Sequence, residues 1–127
     1  MKELVVEVKD QPGELNKLSA ALGKAGVNIM AIALFTLNKT GRIHFVVSDI
    51  EKGKKELEKQ KYKVSSGDVL ILELKHSPGE LGRVTKMLAD AGVNIELLYG
   101  SGSTYPSAQL VIGVSDLKKA EKVLGLE

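Results

Sequence analysis

A 19-residue segment of this 127-residue chain is written twice, and the repeat constrains the fold more than any other feature. QPGELNKLSAALGKAGVNI, from Gln11 to Ile29, returns 66 positions later as SPGELGRVTKMLADAGVNI, from Ser77 to Ile95. Further on, VVSDIEKGKKELEKQ from Val46 matches GVSDLKKAEKVLGLE from Gly113 at an offset of 67. Repetition at one period indicates a duplicated folding unit. The chain therefore contains the same unit twice.

Each unit has the periodicities of a small mixed domain. Its start alternates apolar and polar residues, which is typical of a strand, and a helical stripe follows, as in Leu15, Leu18 and Leu22. Two more strands and a charged helix complete the order, and YKV at 62–64 is predicted as a fourth strand of the first unit. We predict two domains, residues 1–66 and 67–127, the second without its last strand.

Short motifs set the ends of the predicted helices. Proline and glutamate in Pro-Gly-Glu, at 12–14 and again at 78–80, suit a helix start, because a first-turn proline loses no hydrogen bond and a carboxylate favours the positive end of the helix. Gly26 and Gly92 stand where a left-handed residue ends a helix. Asp49 and Asp116 precede the second helices as N-caps.

Composition excludes several functional classes. The chain has no cysteine and two histidines, which argues against disulfides and against metal sites, and no long apolar run predicts a membrane span. Its 18 basic and 16 acidic residues are interleaved, a pattern of solvated surfaces and not of nucleic-acid binding. We predict a cytoplasmic protein without cofactors that binds neither nucleic acid nor membranes.

The predicted order, strand-helix-strand-strand-helix-strand, is the ferredoxin-like α+β layout, with an antiparallel sheet and helices on one face. Written twice, with PGEL entering the first helix and AGVNI leaving it, the sequence resembles a tandem pair of ACT domains, from about Lys2 to about Val123. The resemblance implies two units packed side by side, regulation by a bound amino acid at the seam between them, and no enzyme activity. It also implies a partner, such as a regulated enzyme.

Candidate ligand contacts follow from this resemblance and from strand parity. Asn28 and Asn94 each stand between two apolar residues, so their side chains are predicted to point away from the helix-covered face. An amide can accept from an ammonium and donate to a carboxylate, and the glycine of each Pro-Gly leaves room for a ligand at the helix start. The predicted site residues are Asp10, Gln11, Pro12, Gly13, Glu14 and Asn28 in the first unit, and His76, Ser77, Pro78, Gly79, Glu80 and Asn94 in the second.

Other interpretations compete with this one. The asparagines could simply bond a neighbouring loop, and the whole chain could be an interaction module that has lost its ligand. An enzyme of the acylphosphatase type would need an arginine in the first loop, and neither Asp10-Gln11-Pro12 nor His76-Ser77-Pro78 has one. The sequence GSGSTYPS lacks the P-loop pattern and is predicted as a hairpin loop.

A last prediction concerns the sheet face without helices. Strand alternation places several apolar side chains on that face: Met30, Ile32 and Leu34 of the first unit, beside Val5 and Val46, and Ile71, Leu98 and Val111 of the second. A bare apolar face of this kind commonly marks an interface. On that basis we predict a homodimer, or a larger homo-oligomer, with sheet faces in contact.

Overall fold

A computed structural model of the chain describes residues 1–75, 77–100 and 107–126, with the side chain of residue 107 excepted. It divides into two compact units, one formed by Lys2–Gly67 and the other by Asp68–Glu127 with Met1. In the part of the chain that the structure describes, no helix is long and apolar enough to cross a membrane.

The first unit folds as β-α-β-β-α-β. Its sheet has the strand order β2-β3-β1-β4, with β3 antiparallel to both of its neighbours, so that β2 forms one edge. The elements are β1 (Lys2–Lys9), α1 (Glu14–Lys24), β2 (Ile29–Leu37), β3 (Thr40–Val47), α2 (Ile50–Lys59) and β4 (Val64–Asp68).

The second unit repeats this order but has three strands, in the order β5-β7-β6. Within the described residues, which end at 126, no strand follows its second helix, as predicted. Two ferredoxin-like units, the second without its last strand, are therefore confirmed. The elements are β5 (Leu70–Lys75), α3 (Glu80–Asp90), β6 (Ile95–Gly100), β7 (Ser107–Val114) and α4 (Leu117–Leu124).

Each unit has its own core between sheet and helices. In the first, Leu18 and Leu22 of α1 and Leu57 of α2 are fully buried against the strands. Burial of a leucine side chain stabilises a fold by about 1.5–3 kcal/mol, so these stripes hold the helices in place. In the second unit, Val84 and Leu88 of α3 have the same role.

The predicted aspartate N-caps and the glycines at the helix ends are confirmed, but Pro12 and Pro78 precede the N-cap glycines and so lie outside the first turn. Asp49 accepts a hydrogen bond from the Lys52 amide at 3.1 Å, and Asp116 accepts one from Lys119 at the same distance. Gly26 and Gly92 both have φ of 75°, in the left-handed region that glycine adopts without strain.

The fourth strand of the first unit begins later than predicted. Of the segment YKV at 62–64, only Val64 belongs to β4, which continues to Asp68. The reason is that Lys61, with φ of 68°, turns the chain at the end of α2, and the Tyr62 amide then bonds Leu57 of that helix at 3.0 Å. These residues close the helix before a strand begins.

A bulge at Met30 makes the predicted parity of β2 wrong. Ile29 pairs with Val47, but Ala31 pairs with Val46, so one extra residue on β2 shifts every later side chain to the other face. Ile32 therefore pairs with Phe45, and Leu34 with Ile43, on the sheet face that the helices cover.

The second unit has the same irregularity between Ile95 and Leu97, which places Leu98 opposite the core residue Ile112. Val5 and Val46, expected on an open face, are buried, with 8% and 3% of their surface exposed. The predicted face is therefore wrong for Ile32, Leu34 and Leu98, whereas Val5 and Val46 lie on the predicted face but are not exposed. The oligomeric state stays a prediction without the support of an exposed apolar face.

Candidate functional site

The loop between β1 and α1 forms a small cavity with the edge strand of the first unit. The cavity has a volume of about 150 Å³, and its polar wall includes Asp10, Gln11 and Glu14. Leu34 and Thr36 of β2 line the opposite side. Four of the five predicted loop residues of this unit, all except Pro12, thus meet in one depression.

Hydrogen bonds fix the acidic groups of this loop. The Thr36 hydroxyl donates to an Asp10 carboxylate oxygen at 3.2 Å, which ties the loop to β2. The Gln11 amide donates to Glu14 at 2.8 Å. Thr36 was not predicted as a site residue. Its sequence signal was weak, because a threonine near a hairpin is common and its neighbour Asp10 lies 26 positions away.

Gly13 is needed for its left-handed backbone conformation, and not because a side chain at this position would clash with the protein. It precedes α1 with φ of 92° and ψ of −8°, in the left-handed region, and no side chain caps the helix there. A Cβ built at Gly13 would meet nothing within 4 Å in the protein. The first amides of α1 thus lack a side-chain partner, and such amides favour an anion.

The corresponding loop of the second unit repeats this geometry. Gly79 has φ of 85° and precedes α3 without a side-chain cap. Ser77 and Pro78 are exposed, and the Ser77 amide bonds the Lys75 carbonyl at 2.9 Å. His76, the predicted counterpart of Asp10, lies outside the described residues.

Glu80 differs from its counterpart Glu14 in its partner. Arg83 donates to both carboxylate oxygens of Glu80, at 3.1 and 3.2 Å. The hydrogen bond and charge of Arg83 lower the pKa of Glu80 below its usual range, and Glu80 in turn raises the pKa of Arg83. The carboxylate at the start of α3 is therefore engaged within its own helix.

Asn28 and Asn94 are held in the same way in both units. The amide N–H of Asn28 donates to the Ser48 hydroxyl at 3.0 Å, and its carbonyl accepts from the Ser48 amide at 2.9 Å. The Asn94 backbone makes the same two bonds with Ser115, both at 2.9 Å. Both asparagines are exposed, and within the described residues neither side-chain amide has a hydrogen-bond partner.

Within one unit, the asparagine and the Pro-Gly loop do not meet. Asn94 lines a shallow groove along α3 and β6 with residues such as Thr85 and Ala89, and the loop at 77–79 is not part of it. The loop precedes α3 and the asparagine follows it, and a helix of 11 residues is about 16 Å long. The two predicted halves of the site therefore lie at opposite ends of the first helix of each unit.

His44 is buried in an ionic network, away from the predicted site residues. Its Nδ1 lies 3.1 Å from Glu3, and Arg42 Nε donates to its Nε2 at 3.1 Å. Since Nε2 accepts from Arg42, Nδ1 is the ring nitrogen that donates to Glu3. Among the residues that the structure describes, no group of three or more acidic, histidine or cysteine side chains is placed to hold a metal ion.

Comparison with known proteins identifies this duplicated ferredoxin-like protein further. The model of the ACT domain family matches residues 2–62. The first unit is therefore an ACT domain. Because the second unit repeats its motifs and its element order, the chain is a tandem ACT domain protein. A search of curated proteins found no match.

Solved structures share the whole fold. A protein from Bacteroides thetaiotaomicron is 28% identical, with a TM-score of 0.92 over 98% of this chain and 85% of that one. The regulatory subunit of aspartate kinase from Thermus thermophilus, in a ligand-free form, has 17% identity and a TM-score of 0.76, over 98% and 89% of the two chains. The Thermus flavus subunit has 18% identity and a TM-score of 0.71, over 98% and 88%. At 17% and 18% identity, the two regulatory subunits show a shared fold.

Proposed function

We propose that this protein binds an amino acid and regulates another protein according to whether the ligand is bound. An amino acid presents an ammonium and a carboxylate within a few ångströms of each other. Its recognition needs a donor and an acceptor held in fixed positions. The chain offers both in the side-chain amides of Asn28 and Asn94.

The observation that carries the proposal is the state of these amides. In both units the asparagine backbone is fixed by a serine, while the side-chain amide is exposed and has no partner in the described structure. The alternative in which the amide serves a neighbouring loop is disfavoured, since the backbone alone makes those bonds. A fixed backbone with an unpaired amide is preorganised for a ligand.

A complete site requires two units. About 16 Å separates the Pro-Gly loop from the asparagine along the helix of one unit, which is too far for one amino acid to reach both. We therefore propose that a loop from one ACT unit and an asparagine from another contribute to the same site. Asp10, Gln11, Gly13 and Glu14 would supply the loop side of one site, and residues 76–80 that of a second.

The proposed response passes to a separate catalytic protein. Two solved structures with this fold are regulatory subunits of aspartate kinase, so the same fold serves elsewhere as the regulatory part of an enzyme. We propose that this chain is likewise not an enzyme and acts on one as a partner. Ligand binding would stabilise one arrangement of the units and so change the affinity for that partner.

The second candidate function is a protein-interaction module without a ligand. Edge strand β2 favours it, because Phe35 and Leu37 near its end are 41% and 60% exposed. An exposed edge with apolar side chains is suited to contact with another chain.

A thermal-shift screen of the protein against the twenty amino acids, followed by calorimetry, tests the first proposal. A ligand present at 100 times its Kd raises the free energy of unfolding by about 2.7 kcal/mol. We expect one or a few amino acids to raise Tm, and the Asn28→Ala/Asn94→Ala double variant to lose the shift. If no amino acid raises Tm, ligand binding of this class is ruled out and the interaction module is favoured.

A further inference from the structure

A second cavity lies in the first unit where the end of β1, the start of α1 and the connection from α2 to β4 meet. It has a volume of about 300 Å³, large enough for a small metabolite. It shares Gln11 and Glu14 with the loop cavity described above, but Lys17, Lys61 and Tyr62 line only this second one. We call it the tyrosine cavity.

The Tyr62 hydroxyl has no hydrogen-bond partner although it is buried. The ring packs against the core of the first unit, and the oxygen is almost inaccessible to solvent. Buried polar atoms in folded proteins are paired in the large majority of cases, and an exception calls for a ligand, a water or a functional role. Tyr62 lines the tyrosine cavity, so a small turn of its side chain would bring the hydroxyl to a molecule bound there, which would supply the missing partner.

The charges around the cavity favour an anion. Both glutamates of its wall already have partners. Glu7 forms an ion pair with Arg42 at 3.3 Å, and Glu14 accepts a hydrogen bond from the Gln11 side chain at 2.8 Å. Its three lysines have no carboxylate partner among the described residues; they are Lys9, Lys17 and Lys61. The cavity therefore has more unpaired donors and positive charge than acceptors.

The end of α2 positions Lys61 and Tyr62 at the wall of the cavity. Lys61 adopts φ of 68°, a left-handed conformation that costs a lysine about 1 kcal/mol or more. Desolvation, with a smaller contribution from the charge of Glu14, raises the pKa of Tyr62 above 10.0. The phenol is therefore protonated at neutral pH and able to donate.

We propose that the tyrosine cavity binds a small anion, whose carboxylate or phosphate group accepts a hydrogen bond from the Tyr62 hydroxyl and is neutralised by the surrounding lysines. This site differs from the amino-acid site proposed above in its ligand and in Lys17, Lys61 and Tyr62, although the two share Gln11 and Glu14. A phosphate and a carboxylate share the required chemistry, because each presents several acceptor oxygens on one centre.

The second unit provides an internal control. Glu73, Lys75, Glu80 and Arg83, at the positions of Glu7, Lys9, Glu14 and Lys17, line a wider cavity of about 560 Å³. There the cation of α3 is already bound by Glu80, and the far wall includes Leu124 and Leu126. Its arginine is engaged and its wall includes two leucines, so we expect it to bind an anion more weakly than the tyrosine cavity or not at all.

A ¹⁵N NMR titration of the full chain at pH 7 and constant ionic strength tests the proposal, with inorganic phosphate in one arm and malonate in the other. We expect saturable shifts of the Lys17, Lys61 and Tyr62 amides, and the arm with the lower Kd identifies the preferred group. Tyr62→Phe should raise that Kd about tenfold or more, since it removes a hydrogen bond to a charged group. Lys17→Gln should also raise it, and the matched Arg83→Gln should not.

Either variant suffices if the other fails to fold, because Lys17 is exposed on α1 and its replacement leaves the core unchanged. If neither anion binds saturably, the proposal is overturned and the cavity contains only water. Binding that Tyr62→Phe and Lys17→Gln do not weaken would also overturn it. Tyr62→Phe should leave amino-acid binding unchanged, so that failure of one site is distinguishable from failure of the other.

Discussion

Ile32 lies directly opposite Phe45 in the antiparallel pair of β2 and β3, on the sheet face that carries the helices. Its neighbour Ala31 lies opposite Val46, on the other face, and only 6% of its surface is exposed. Ile32 keeps 37% of its surface exposed because β2 is the edge of the sheet. Position 32 is therefore more tolerant of a long polar side chain than position 31.

This difference makes Ile32→Lys and Ala31→Lys a matched pair. A lysine at 32 can extend its ammonium to solvent along the edge, whereas a lysine at 31 would bury it. We expect Ala31→Lys to lower the free energy of unfolding by at least about 2 kcal/mol more than Ile32→Lys. Urea unfolding followed by circular dichroism measures both, and the opposite ranking would show that the bulge at Met30 is wrong.

The bulge also shows where prediction from the sequence ends. The caps at Asp49 and Asp116, and the left-handed glycines, are local features, so the sequence predicts them. A bulge depends on which residue of β3 each residue of β2 meets, and alternation along one strand does not contain that information. The tyrosine cavity was missed for the same reason, because Lys17 and Tyr62 meet only through the packing of α1 and the α2–β4 connection.

The glycine before α1 gives a second matched pair. Gly13 is left-handed, so Gly13→Ala should destabilise the fold by about 1–2 kcal/mol. Gly23 lies within α1, where a Cβ would meet nothing within 4 Å, so Gly23→Ala should stabilise the fold by about 0.5–1 kcal/mol. Thermal unfolding measures both. Equal effects of the two changes would mean that Gly13 does not need its positive φ.

Replacement of the asparagines should separate binding from folding. Asn28→Ala or Asn94→Ala removes an exposed, unpaired amide and leaves the backbone bonds to serine in place, so the fold should be retained. Loss of a hydrogen bond to a charged ligand should weaken amino-acid binding by about 1–3 kcal/mol in calorimetry. Ser48→Ala is the control, since it removes the acceptor of the Asn28 amide and should reduce stability by up to about 1 kcal/mol. Parent-like affinity in both asparagine variants would exclude them from the site.

The ion pair at the start of α3 predicts a pH effect. The pKa of Glu80 is lowered by Arg83, so the pair contributes stability above pH 4.5, and this contribution is lost as the pH falls through the folded-state value. Arg83→Gln should raise the Glu80 pKa towards 4.5 in a ¹³C NMR titration of the side-chain carboxyls. Lys86→Gln, which breaks the exposed pair with Asp90, is the control and should leave Glu80 unchanged. A Glu80 pKa that is the same with and without Arg83 would show that the pair does not form in solution.

Tyr62 predicts an effect at the alkaline end of the pH range. Its pKa is raised above 10.0 mainly because folding removes the phenol from water, which disfavours the phenolate. A group whose pKa is raised on folding contributes stability that is complete below its unfolded pKa and is lost as the pH rises through the folded value. The free energy of unfolding of the parent should therefore fall above pH 10, and Tyr62→Phe should remove that part of the fall.

At pH 7 and without added anions, the same change should raise stability by up to about 1 kcal/mol, because it deletes a buried hydroxyl without a partner and keeps the ring in the core. Urea unfolding of both proteins at pH 7 and at several values above 10 measures the difference. Parallel curves for parent and variant, with no gain at pH 7, would mean that the hydroxyl is hydrated in the folded protein.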